Sequence, residues 1–156
     1  MQKVLFIAST GGHLNELLQL KPIFDNYNYH LITEKTDSTS DLVKKYPHKV
    51  NYLVFGTKDH KLSYFFKFSW NCLKSLFLYL KIRPKYLITT GTHTAVPMCY
   101  IGKFFGTKII FIETFANSIT KTMSGGMVYP IADLFVVQWE SMLKEYPNAI
   151  YGGWIY

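Results

Sequence analysis

Blocks of apolar residues the length of buried strands alternate along the chain with polar turns and with apolar positions at helical spacing. Val4-Leu5-Phe6-Ile7-Ala8 is an unbroken apolar run, the pattern of a strand covered on both faces. It leads directly into Ser9-Thr10-Gly11-Gly12-His13, after which Leu14, Leu17, Leu18 and Leu20 recur at helical spacing. Tyr29 to Thr33 reads as a second strand, Glu34 to Ser40 as a mobile polar loop, and Asp41 to Tyr46 as a short helix stopped by Pro47. Val50 to Phe55 is a third strand, and a long helix over Ser63 to Ile82 closes at Arg83-Pro84, where proline ends any continuation. Tyr86 to Thr90, Lys108 to Glu113 and Leu134 to Val137 complete the strands, with helices over Ala95 to Phe105 and Glu140 to Tyr146. Strands alternating with helices imply right-handed crossovers. The expected fold is α/β, a Rossmann-like, mainly parallel sheet with helices on both faces and a ligand crevice at the carboxyl ends of the strands.

Composition narrows this to one domain, since the chain has 156 residues and 49% of them are hydrophobic. A net charge of +7 favours anionic partners, although charge alone does not choose among phosphates, acidic lipid and nucleic acid. Dispersed lysines and the lack of a recognition motif make nucleic acid the weakest of these, so no nucleic-acid partner is expected. Cys72 and Cys99 are far apart and lack metal-ligand spacing, which suits buried thiols rather than a disulfide or a metal site. The first strand is too short to serve as the apolar core of a signal peptide, so the chain is expected in the cytoplasm.

Parallel strands deliver three polar turns to one edge of the sheet: Gly11-Gly12-His13, Thr90-Gly91-Thr92-His93-Thr94, and Glu113-Thr114-Phe115-Ala116-Asn117. Backbone N–H groups at the start of the first helix favour an anion such as a diphosphate. His13 is the side chain in that turn able to take a proton near neutral pH. Each residue also has a plainer reading. Gly-Gly after a strand is often only a tight turn, His13 can cap its helix, and His93 can face solvent. An unpaired Glu113 would be costly to desolvate, so it sits at the crevice or orders the loop that follows it. Asp133 reads as a turn or helix-end residue.

The long helix carries a second signal. Lys67, Lys74 and Lys81 fall seven apart along one side, while Trp70, Phe77 and other large apolar residues occupy most of the rest. Lysines this frequent argue against a membrane span and favour a helix lying at an anionic membrane surface. The alternative is a core helix with a thin lysine stripe. At the C-terminal end, Trp154, Ile155 and Tyr156 form an apolar cluster that either marks a partner interface or folds back on the domain's own core.

Taken in order, several of these segments resemble the asparagine-linked glycosylation fourteen-like family. They are the strand with Gly11-Gly12-His13, Thr89-Thr90-Gly91 with Ala95-Val96-Pro97, Ile110 to Ala116, Tyr129 to Phe135, Val137-Gln138-Trp139, Tyr146-Pro147 and Tyr151-Gly152-Gly153. Members resemble the N-terminal, acceptor-binding half of GT-B glycosyltransferases, including MurG, and length agrees with half of a two-domain enzyme. The resemblance implies the acceptor-side, membrane-recruiting subunit of a two-chain glycosyltransferase. Its partner would be an asparagine-linked glycosylation thirteen-like donor subunit that binds the nucleotide sugar, UDP-linked. The acceptor would be a saccharide on undecaprenyl diphosphate in capsule or exopolysaccharide synthesis, at the inner face of the cell membrane. In that setting His13 is the base and Glu113 orients it or the acceptor, while Gly11, Gly12, Thr92, His93 and Asn117 hold the acceptor diphosphate. No cofactor or metal is required on this chain. Two departures stand out: Asn117 replaces an arginine found in many relatives, and the chain is expected to lack the N-terminal membrane anchor of the eukaryotic subunit, leaving attachment to the aromatic and basic helix or to the partner. The rival reading is a non-catalytic scaffold that anchors a polysaccharide synthase at the membrane.

Overall fold

Among the described residues seven strands form one parallel sheet in the order β3-β2-β1-β4-β5-β6-β7. The computed structural model describes residues 1–56 and 61–155. The strands are β1 (Lys3–Ile7), β2 (Asn28–Lys35), β3 (Val50–Val54), β4 (Tyr86–Thr89), β5 (Lys108–Ile112), β6 (Leu134–Val137) and β7 (Ile150–Tyr151). Between them run α1 (Gly12–Gln19), α2 (Leu42–Lys45), α3 (Lys61–Ile82), α4 (Val96–Phe104) and α5 (Met123–Val128). The chain winds outward through β1, β2 and β3, then returns so that β4 pairs with the other side of β1. This reversal between β1 and β4 opens the sheet at their carboxyl ends, the usual ligand position in a doubly wound fold.

Alternation along β1 explains the two cores. Leu5 and Ile7 join Leu78, Tyr79, Ile82, Met98 and Cys99 of α3 and α4 on one face. Val4, Phe6 and Ala8 join Leu14 and Leu17 of α1, with Phe24, on the other. Successive side chains of a strand point to opposite faces, so an unbroken apolar run is what a sheet covered on both sides requires. Phe24 packs 4.3 Å from the Phe6 ring and 4.9 Å from Tyr29, filling the second core.

Two local readings change and two elements are added, while Asp133 is the turn residue expected. The stretch expected as a mobile loop is mostly ordered: β2 continues through Glu34 to Lys35, and Thr36 and Thr39 cap a 3-10 turn by reciprocal bonds. Residues 140–144 form a 3-10 turn rather than an α-helix. Helix α5 and the two-residue strand β7 were not foreseen from the sequence. Asp133 acts as a clamp at the start of β6, accepting from the Ile109 N–H at 2.9 Å and pairing with Lys103 at 3.0 Å and Lys108 at 2.9 Å. Partial burial opposes its charged form, but those three donors outweigh it and hold the carboxyl at a pKa of about 2. Cys99 is buried and Cys72 half-buried; burial pushes both thiols up.

Candidate functional site at the strand reversal

A cavity of about 250 Å³ opens beside the carboxyl ends of β1 and β4, lined by His13, Thr92, His93, Thr122, Ser124 and Met127. His13 enters it from the first turn of α1. Its Nδ1 lies 2.7 Å from the Thr90 carbonyl oxygen. A carbonyl can only accept, so Nδ1 carries the proton and Nε2 keeps its lone pair. Thr90 returns the contact, its hydroxyl donating to the His13 carbonyl at 2.6 Å. Between these two bonds the imidazole has little freedom. Gly91 makes the approach possible: its φ is +100°, and a Cβ there would sit 3.4 Å from His13 Nδ1 and 3.3 Å from Ser124 Oγ.

Glu16 stands one helical turn beyond His13, with Oε2 at 4.0 Å from His13 Nδ1. It is the carboxylate within 4.0 Å of His13 among the described residues. Its other oxygen accepts from Thr114 Oγ1 at 2.8 Å and the Phe115 N–H at 3.1 Å. Oε2 itself is buried and has no hydrogen-bond partner among the described residues. Glu16 thus offers a negative charge to a protonated imidazole while holding the β5 turn against α1.

Buried carboxylates fasten the remaining turns. Glu34 closes β2, accepting from the Thr10 N–H at 3.2 Å and the Thr94 hydroxyl at 2.6 Å, which ties the β1 and β4 turns together. Thr92 adds a second tie, donating to Ser9 Oγ at 3.0 Å, and lies 3.3 Å from His93 Nδ1. Glu113 is fully buried. It accepts from the Thr114 N–H at 3.1 Å, from Thr122 Oγ1 at 2.9 and 3.0 Å, and from the Tyr146 hydroxyl at 2.7 Å. Thr122 in turn caps α5 by accepting from the Gly125 N–H at 3.0 Å. Glu113 therefore orders its own loop and anchors the α5 wall of the cavity. A Cβ at Gly125 would collide with the Glu113 carboxylate, so glycine is needed there. Burial, then the bond to Glu113, pushes the Tyr146 hydroxyl far above its ordinary pKa, leaving it a committed donor.

Gly11, at φ +83°, and Gly12 lie exposed at the start of α1, a helix with no side-chain cap. Asn117 lies outside the cavity lining, its side chain bonding Thr120 in a surface turn at 3.4 Å. Among the described residues no group of His, Cys, Asp or Glu is placed to hold a metal ion. The sequence reading missed Glu16, Glu34 and Thr122; for Glu16, the three-residue spacing from His13 on a helix was a usable signal.

Over residues 4–155 the sequence matches the family described as "Oligosaccharide biosynthesis protein Alg14 like". The chain belongs to that family. The UDP-N-acetylglucosamine transferase subunit ALG14 of Debaryomyces hansenii is 31% identical to this Alg14-like chain over 173 residues, covering 96% of it and 75% of the relative. The protein of the same name from Homo sapiens is 25% identical over 181 residues, covering 96% and 81%. Among solved structures, Acinetobacter baumannii MurG superposes with a TM-score of 0.73 at 13% identity, covering 90% of this chain and 43% of that one. The UDP-GlcNAc 2-epimerase of Methanocaldococcus jannaschii gives 0.71 at 15% identity, covering 96% and 45%. The Alg14-like chain thus spans less than half of each solved chain, and the likeness is one of fold: a Rossmann-like half of the GT-B type. These relatives lend no support to the expected capsule or exopolysaccharide setting.

Two surfaces of the Alg14-like chain lie outside the cavity. Phe66, Trp70, Leu73, Phe77 and Leu80 form a continuous exposed stripe along α3, while Asn71, Ser75, Leu78, Tyr79 and Ile82 are buried on its other side. Lys67 and Lys81 are exposed and Lys74 half-buried along one margin of the stripe. One face of α3 is therefore the core helix of the alternative reading, while the other leaves an exposed apolar stripe with a lysine margin. Among the described residues no helix is long and apolar enough to cross a membrane. At the other end, Trp154 is 71% exposed, with its ring 5.5 Å from Phe115 and 6.3 Å from Trp139. Ile155 is half-buried against the second core and donates its N–H to Gln138 Oε1 at 3.3 Å. Tyr156 lies outside the described residues.

Proposed function

We propose that this chain is the acceptor-binding, membrane-recruiting half of a split GT-B glycosyltransferase. A separate donor-binding chain would supply a UDP-sugar, by analogy with relatives named as UDP-N-acetylglucosamine transferase subunits. The acceptor is a saccharide on a lipid diphosphate. The observation that carries the reading is His13, whose Nδ1 is committed to Thr90 so that Nε2 is left as an acceptor in a cavity at the strand reversal.

In the reaction, the acceptor hydroxyl oxygen attacks the anomeric carbon of the donor sugar and the bond from that carbon to the nucleotide diphosphate breaks. His13 Nε2 takes the hydroxyl proton, and the Glu16 carboxylate stabilises the imidazolium that forms. Gly11 and Gly12, at the uncapped start of α1, present backbone N–H groups and the positive end of the helix to the acceptor diphosphate. Thr92 and His93 flank it from the β4 turn, and Asn117 borders the β5 turn. Glu113 is a positioning residue, keeping Thr122 and Ser124 in the cavity wall. The α3 stripe lies in the acyl boundary of the cytoplasmic leaflet, with Lys67, Lys74 and Lys81 reaching anionic headgroups. The exposed Trp154 and its aromatic neighbours Phe115 and Trp139 face the donor chain.

Equilibrium binding by the purified chain alone tests the division of labour. It should bind a short-chain polyisoprenyl-diphosphate saccharide saturably and show no saturable binding of UDP-N-acetylglucosamine. Tight binding of the nucleotide sugar without the lipid diphosphate contradicts the assignment.

A further inference from the structure

A second cavity, of about 600 Å³, opens at the opposite edge of the sheet, where the strands begin. Lys3 comes from the start of β1, His30 from β2, His48 from the turn before β3, and Lys81 from the last turn of α3. The parallel topology brings these four basic side chains together from distant parts of the sequence. Asn28 and Asn51 add neutral polar groups, and among the described residues no carboxylate lines the cavity.

The positive charge is poorly balanced from within. Lys3 Nζ donates to the Ile82 carbonyl at 3.0 Å, and Lys49, just outside, donates to Asn28 Oδ1 at 3.3 Å and lies 5.1 Å from the Tyr29 ring centroid. Neither bond brings in a negative charge. Neither imidazole makes a hydrogen bond within the described residues. Burial first, and then the charges of Lys49, Lys3 and Lys81, hold His30 below the ordinary histidine range. An anion would reverse that field, accept from the lysines and satisfy both imidazoles in protonated form.

We propose that this cavity binds a phosphate-bearing anion, held by Lys3, Lys81, His30 and His48 at the amino-terminal edge of the sheet. The phosphate is presented by a lipid headgroup or by a soluble phosphate ion; Lys81 belongs both to this cavity and to the lysine margin of α3. The site is separate from the crevice at the strand reversal and stands whether or not the chain takes part in glycosyl transfer.

Histidine NMR titration of the full chain decides it. The probes are inorganic phosphate and soluble dihexanoyl-phosphatidylglycerol, each compared with chloride at equal ionic strength so that simple screening is matched. Either probe should raise the His30 and His48 midpoints saturably at millimolar concentration. A response to the phosphatidylglycerol alone assigns a lipid headgroup, a response to inorganic phosphate alone assigns a soluble ion, and a response to both supports the shared chemistry. Lys81→Gln should weaken the effect about tenfold or more, because it removes one charge of a close, oppositely charged pair. His48→Asn is the companion variant, because His48 has φ +60° and asparagine tolerates that conformation, so the fold is kept while an imidazole is lost. Midpoints that chloride moves equally, that stay fixed with both probes, or that shift only at His13 and His93 overturn the proposal.

Discussion

His13 and Thr90 hold each other by two bonds, ring Nδ1 to carbonyl at 2.7 Å and threonine hydroxyl to the His13 carbonyl at 2.6 Å. One bond selects the tautomer and the other fixes the backbone from which the ring projects. The relationship turns a helix-start histidine into a ring with a defined proton on one nitrogen and an acceptor on the other. Beside it, Glu16 Oε2 lies 4.0 Å from Nδ1 with no hydrogen-bond donor among the described residues. Glu16→Gln keeps an acceptor for Thr114 and Phe115 but removes the charge. In the proposed two-chain enzyme it should lower kcat by about tenfold or more while leaving KM and the unfolding midpoint nearly unchanged, since acid–base groups contribute about 10²–10⁴ in rate. Steady-state kinetics paired with a denaturant curve separate this from a structural role, which would move stability first.

Tyr146→Phe tests the anchor of the cavity wall. It removes the hydroxyl that donates to Glu113 at 2.7 Å, leaving that buried carboxylate with Thr122 and the Thr114 N–H. A buried acceptor that loses its donor costs about 1–3 kcal/mol, so the urea midpoint should fall with an unchanged m-value. An unaltered midpoint would show that Thr122 and the Thr114 N–H satisfy Glu113 without Tyr146.

Acid stability should report Asp133. Its folded pKa is depressed to about 2, so it stabilises the fold above the unfolded value of about 3.9, and that contribution is lost as pH falls from there toward 2. Asp133→Asn should destabilise the chain at neutral pH and flatten the pH dependence across that window. Thermal unfolding of both proteins between pH 5 and pH 2 checks it; parallel curves would remove Asp133 from the account.

Membrane recruitment predicts a graded response along α3. Lys67→Glu with Lys74→Glu should release the chain from vesicles containing phosphatidylglycerol, each basic residue near such a surface being worth about 1 kcal/mol. Trp70→Ser with Phe77→Ser should weaken binding even to neutral vesicles, because Trp70 is 58% and Phe77 67% exposed on the apolar stripe. Cosedimentation measures both. Unchanged binding in all variants would leave the stripe as a protein contact.

Six of the strands were legible because burial on both faces writes them as short apolar runs, and the turn at Gly11-Gly12-His13 was legible because two glycines between an apolar run and a helical pattern mark a strand-to-helix turn. Glu34 was misread because a polar residue after Thr33 looks like the start of a loop, although the fold spends it inside, bonded to Thr10 and Thr94. Helix α5 carries Gly125 and Gly126 and lacks a helical apolar pattern; its existence depends on the Thr122 cap and the buried Glu113, a tertiary contact without a local signature. Strand β7 is only two residues long, Ile150 and Tyr151, and is defined by pairing with β6. The partners of Glu113 were unreadable for the same reason, since Tyr146 is 33 residues away in sequence.

The most direct measurement is sugar transfer to a lipid-diphosphate acceptor by this chain alone, by a donor-binding partner alone, and by the two mixed, with wild-type His13 and with His13→Ala. Only the wild-type mixture should turn over at full rate, and His13→Ala should lower its kcat by about 10²–10⁴ while partner capture and vesicle binding persist. Full activity with His13→Ala in the mixture, or robust transfer by this chain alone, would contradict an acceptor half that supplies the base.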